Sequence, residues 1–268
     1  MPEKTTKNKN EIIALSDSMD ASIKGEMADL FSNIGEVGID AAQNAGILRD
    51  VPIISTAISL FKIGNTMRER SLLEKMYFFV KGMNEGCEDE EERKKRAEYF
   101  KNNKKKRAEE LKYLIILLDR YVSTERAEWL SKVYIAYLEK EISWNGVLIL
   151  SECIDKIIPA DLEVLKFYAS LGEYPSYLYF SVSYRGELSI DYEHRFKGQL
   201  SSLSNQLGVV IDALPKRIKI HTDRLVSAGL IEEMPVKDEF TTMSLSLSYG
   251  ASLVGIELLR IIGELGEK

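Results

Sequence analysis

The sequence predicts a mainly α protein: an N-terminal multi-helix bundle over residues 11–158, then a smaller domain over 159–268 that carries a β-hairpin. Three observations carry this reading. Apolar residues recur at spacings of three and four along most of the chain, the helical period. Between 104 and 171 the periodic stretches are separated only by very short polar turns, which favours antiparallel neighbours in a bundle. Around 177–193 the period switches to strict alternation, the signature of half-buried strands.

The 268 residues are 45% hydrophobic and 29% charged with a net charge of −6, the composition of an ordinary globular protein. That balance dictates neither a wholly acidic nor a wholly basic binding role. Cys87 and Cys153 are the only cysteines, and nothing in their spacing brings them together, so a reduced chain is expected. The polar opening, "MPEKTTKNKNEIIALSDSMD", lacks the apolar core of a secretion signal. No stretch reaches the roughly 18–20 apolar residues that span a bilayer. A cytoplasmic protein is expected.

Residues 1–10 read as a disordered tail. From Glu11 to Asn44 the helical pattern is interrupted by Gly25, Gly35 and Gly38, so broken helices are expected. Ile54, Ile58 and Phe61 then recur at helical spacing up to Gly64. "TMRE", Thr66 to Glu69, is a capping box: the threonine oxygen accepts from a free N–H and the glutamate reaches back. The helix it starts carries Leu72, Met76 and Phe79 or Val80 on one side, with Gly82 as its expected end.

From 88 to 110 acids lead and bases follow, the order a helix dipole favours, and Asn102-Asn103 is expected to separate two helices. "LKYLIILLDRYV" is apolar nearly all round and so is expected to be central to the core. Thr124 is expected to cap a helix carrying Ala127, Leu130, Tyr134 and Leu138. Ser143 starts the next, and Pro159 fits the first turn of another, with the domain boundary near Ile157 to Pro159. In the hairpin, a three-residue loop from Tyr184 to Gly186 pairs Val182 with Leu188, Phe180 with Ile190 and Leu178 with Tyr192. A two-residue loop would mismatch the two faces.

After the hairpin come "QLSSLSNQLGV", "PKRIKIHTDRLVSAG", "LIEE", "EFTTMSLSLS" and "ASLVGIELLRII". With "ADLEVLKFYASL" before it, this series resembles the winged-helix domains of bacterial regulators over residues 159–265, interrupted by the hairpin insertion. The resemblance implies that "PKRIKIHTDRLVSAG" is the recognition helix, the element that such domains lay in the major groove. Residues 45–170, with "FKIG" and "RER", resemble uncharacterised bacterial and prophage proteins, which implies a phage–host or mobile-element setting.

Laid on a helix, residues 215–229 put Ile218, Thr222, Leu225 and Gly229 toward a core. The opposite side carries Lys216, Lys219, Ile220, Asp223 and Ser227, flanked by Arg217 and Arg224. The four bases suit phosphates, but the central Ile220 and Asp223 do not. The C-terminal domain as a whole has eleven bases against fifteen acids, a net of −4, whereas phosphate-binding domains are usually basic.

The expectation is therefore a non-enzymatic interaction protein that binds a protein partner as an oligomer. Ile220 and Asp223, together with the hairpin tyrosines Tyr177, Tyr179 and Tyr184, form its partner face. The first alternative is a DNA-binding regulator with Lys216, Arg217, Lys219 and Arg224 on phosphates. The second is a membrane-acting effector through residues 45–63. The run Arg93–Arg107, with nine bases and one acid, could grip a polyanion or form a solvated helix face. His194 and His221, the only histidines, make no zinc pattern with two distant cysteines, and His221 is expected at the edge of its helix. No nucleophile elbow and no phosphate loop is present, so no catalytic set and no cofactor is expected.

Overall fold

The computed structural model describes residues 3–23, 27–64, 66–85, 90–171, 178–182, 188–192, 197–234 and 245–264. The chain divides into two compact units, Met1–Trp144 and Asn145–Lys268. The division falls one helix earlier than the 158/159 boundary read from the sequence.

The first unit is helical: α1 (Glu3–Ile23), α2 (Met27–Val37), α3 (Ile39–Asn44), α4 (Pro52–Phe61), α5 (Met67–Asn84), α6 (Glu90–Lys101), α7 (Lys104–Arg120) and α8 (Thr124–Leu138). A short 3-10 turn, Ile47–Asp50, joins α3 to α4. α1 begins at Glu3, within the stretch that the sequence reads as a tail. Leu15, Met19 and Ile23 are fully buried where α1 packs on α4, α6 and α7. Ser22 ties α1 to α4, its Oγ accepting from the backbone N–H of Ile53 at 3.0 Å. That N–H lies in the first turn of α4, where no intrahelical partner exists.

The Thr66–Glu69 capping box starts α5 as the sequence predicts. Gly82 does not end this helix, which runs on to Asn84. A Cβ at Gly82 would lie 2.1 Å from Ser131 Oγ, so the glycine serves close approach of α5 to α8. Lys75 is buried, and its ammonium donates to the carbonyl of Tyr121 at 2.6 Å, just beyond the end of α7. A cation there meets orphan carbonyls and the negative end of the helix dipole, while burial pushes its pKa down. Asn102 and Asn103 separate α6 from α7 as expected, with Asn103 left-handed. Leu111, Leu114, Ile115, Leu117 and Leu118 of α7 are buried, as are Ala127, Leu130, Tyr134 and Leu138 of α8. Ser123, rather than Thr124, is the residue that precedes α8.

The second unit holds α9 (Trp144–Lys156) from its second residue on, then α10 (Pro159–Ser170), β1 (Leu178–Val182), β2 (Leu188–Tyr192), α11 (Lys197–Gln206), α12 (Leu214–Ser227), β3 (Ile231–Met234), β4 (Leu245–Ala251) and α13 (Leu253–Ile262). β1 and β2 pair antiparallel in the register that the alternation predicts: Val182 with Leu188, Phe180 with Ile190, Leu178 with Tyr192. The loop residues 183–187 lie outside the described residues. β1 also pairs with β4, and β4 with β3, giving one antiparallel sheet in the order β2-β1-β4-β3. The hairpin thus extends the sheet that β3 and β4 form. Against this sheet and α10 packs α12. Gly255 lets α13 in close, since a Cβ there would sit 2.2 Å from the carbonyl oxygen of Leu230.

Candidate functional site

Pro215 lies in the first turn of α12, where its missing N–H costs nothing. Past the end of the helix, Gly229 takes a φ of 75° that an L side chain resists. Ile218, Thr222 and Leu225 are fully buried, the stripe that the helical period predicts. Gly229 is not part of it; it lies beyond the helix end and is exposed.

Polar contacts fasten the buried side of α12. Asp161 of α10 has no exposed surface. It reaches back to the N–H of Ile158 at 2.7 Å, capping its own helix. The same carboxylate lies 2.6 Å from His221 Nδ1 and accepts twice from Arg224 Nη1, at 2.8 and 3.0 Å. A carboxylate only accepts, so this network assigns the proton to His221 Nδ1. Beside it the Tyr168 and Thr222 hydroxyls meet at 3.0 Å. Burial raises the Tyr168 pKa and keeps the phenol neutral. His221 is therefore enclosed, not at the edge of its helix as the sequence suggested.

The outward side carries Lys216, Arg217, Asp223 and Ser227, all exposed, around Ile220, whose exposure of 54% is high for so large an apolar side chain. Two of the four bases on this helix are already engaged. Lys219 pairs with Asp223 one turn on and also lies 5.9 Å from the Tyr249 ring. Arg224 spends one guanidinium nitrogen on Asp161. Among the described residues, Lys216 and Arg217 have no ion pair. The face thus presents a cationic first turn, an apolar centre and a neutralised acid.

The other expected sites fare differently. Tyr177 and Tyr184 lie outside the described residues, as do His194 and Cys87. Tyr179 pairs through its backbone with Asp191 of β2 and Ser248 of β4. In the basic run, Arg96 bonds the carbonyl of Met83 and the carboxylate of Glu139. Arg107 is buried, stacked 3.8 Å from the centre of the Tyr99 ring and paired with Glu110. Lys104, Lys105 and Lys106 each lie within ion-pair distance of an acid. This is a balanced helix surface more than an open polyanion groove. In the apolar stretch 45–63, α4 buries Ile53, Ile54 and Ala57 in the first unit. Among the described residues, no helix is long and apolar enough to cross a membrane.

Cys153 donates its S–H to the carbonyl of Ala228 at 3.1 Å, and burial raises its pKa, the opposite of what a nucleophilic thiol needs. Among the described residues no group of three or more His, Cys, Asp or Glu could hold a metal ion. Sequence reasoning missed Asp161. Its signal was present, an acid three residues after Ile158 at a proline-started helix, but its partners lie sixty residues away. Comparison of the chain with family models, with curated proteins and with solved structures finds no match.

Proposed function

We propose that the second unit is a winged-helix-like domain used for protein binding, and that the outward face of α12 is its contact surface. The order α10, α11, α12, β3, β4, α13 supports the winged-helix reading. The hairpin widens the wing sheet. The observation that carries the function is the state of the four bases: Lys219 and Arg224 are held by Asp223 and Asp161, while an exposed Ile220 occupies the centre. Phosphate affinity grows with the number of free cations, and two are few. An exposed apolar residue ringed by charge is the anatomy of a protein-interface anchor. The role is non-enzymatic, and its setting is the phage–host or mobile-element one that the resemblance of residues 45–170 implies.

A photo-crosslinking amino acid at position 220 tests this in cells. Protein adducts, lost when Lys216 and Arg217 are both changed to Glu, are the expected result. Nuclease-sensitive adducts would instead support DNA reading, which Lys216 and Arg217 at the N-terminal turn of α12 favour. Absence of any adduct at 220 would overturn both.

A further inference from the structure

The first unit contains a cleft that the protein-binding reading does not use. Between α3 and α5 lies a cavity of about 230 Å³ lined by Gln43, Asn44, Arg49 and Arg70 over Leu48 and Leu73. It adjoins a second, of about 410 Å³, lined by Asp40, Met67, Ser71 and Glu74, and the two share Gln43 and Arg70. We propose that this cleft binds a small dipolar molecule, with an oxyanion group against Arg49 and Arg70 and an ammonium group against Asp40 and Glu74.

The cationic end is preorganised. The backbone carbonyl of Arg70 accepts from Gln43 Nε2 at 2.8 Å, and its Nη2 donates to Asn44 Oδ1 at 2.5 Å. The two bonds fix the arginine at both ends while using one guanidinium nitrogen, so its other donors remain for a carboxylate or phosphate. Gly46, left-handed with a φ of 80°, turns the chain so that Arg49 comes round to the same cavity.

The acidic end is uncompensated. Asp40 is exposed and Glu74 half-buried, and among the described residues neither takes part in an ion pair. Burial first, then the charge of Asp40, raises the Glu74 carboxyl above its ordinary range; Lys75 opposes this only as the smallest influence. Two carboxylates that repel one another are relieved by a cation between them. Opposite ends in one cleft favour a molecule that carries both charges over either charge alone.

Titration calorimetry on the full chain separates these cases, with phosphoethanolamine, inorganic phosphate, ethanolamine and γ-aminobutyrate as probes. The dipolar probes should bind at least about tenfold more tightly than phosphate or ethanolamine, since each charge-assisted contact adds on the order of a tenfold factor. Arg70→Gln should weaken phosphoethanolamine and phosphate alike by about tenfold. Glu74→Gln should weaken phosphoethanolamine by a similar factor and leave phosphate unchanged, a split that misfolding would not produce. Thermal unfolding of both variants checks that the cleft persists. Phosphatidylethanolamine vesicles distinguish a lipid headgroup from a free molecule: sedimentation with vesicles that Glu74→Gln abolishes assigns the headgroup, and its absence assigns the free compound. No heat with any probe, equal affinity for the dipolar probes and their halves, or indifference to both substitutions would overturn the proposal.

Discussion

Arg107 and Glu110 lie one turn apart on α7, whereas Asp161 meets His221 and Arg224 across two helices sixty residues apart. Both clusters are built around a buried carboxylate, and both satisfy it several times. Glu110 accepts from Arg107 at 2.5 Å, from the Tyr137 hydroxyl at 2.8 Å and from the Tyr134 hydroxyl at 3.2 Å. Around it Tyr99, Tyr134, Tyr137 and Trp144 pack edge-on or tilted, and burial carries the Tyr99 pKa up to about 12. In the first cluster the guanidinium and the carboxylate are both buried on one helix inside an aromatic cage, and a second cation, Lys106, approaches the same carboxylate from solvent at 3.8 Å. The second is a clamp, and one of its cations, Arg224, keeps 34% of its side chain in solvent. A cluster whose hydrogen-bonded cation is buried holds the core together. A clamp whose cation reaches the surface fixes how an exposed helix is presented.

That difference sets the order of expected effects. Glu110→Ala leaves the buried Arg107 guanidinium without its countercharge and the Tyr134 hydroxyl without its acceptor, although Arg107 still donates to Tyr137, and should cost about 3–5 kcal/mol in chemical denaturation. Asp161→Ala also breaks a buried pair and removes a cap, but Arg224 can swing into water. A smaller loss, about 2–3 kcal/mol, is expected. If Asp161→Ala proved the costlier of the two, the clamp would be the tighter cluster and the contrast would reverse. Thr222→Val leaves the Tyr168 hydroxyl without its partner and should cost about 1 kcal/mol.

The smallest effect belongs to charges that lack compensation. Glu74 has its pKa raised in the folded state, so the folded chain holds a proton that the unfolded chain has released. Its contribution to stability is therefore intact below the ordinary value of 4.5 and is lost as pH rises through the folded value. Glu74→Gln should leave acid stability unchanged and raise the melting temperature slightly at neutral pH; a lower melting temperature there would mean that the carboxylate is already well paired.

The sequence was most legible where local pattern decides the outcome. The hairpin register is the one that the apolar alternation in the sequence specifies, and the backbone pairing adopts it. The capping box at Thr66 and Glu69 and the buried stripe Ile218, Thr222, Leu225 are local in the same sense. Legibility failed where tertiary contact overrides propensity. "EKTTKNKN" lacks an amphipathic pattern, yet it begins α1, in which Leu15, Met19 and Ile23 are fully buried apolar anchors. Gly82 reads as a stop, but its missing side chain answers to Ser131 on another helix. Half of the candidate site was visible: the outward positions of α12 follow from its period, and the exposure of Ile220 agrees. The commitment of Arg224 to Asp161 was not visible, because no local rule joins residues so far apart.

On the proposed reading, α12 presents too few free cations to hold DNA and an apolar residue suited to protein contact. A salt titration of the full chain against random-sequence duplex DNA tests it most directly. The expected result is no saturable binding at about 50 mM salt, the regime in which phosphate contacts are strongest. Micromolar binding that falls steeply with salt, and that weakens further when Arg224 is changed to Gln, would contradict it.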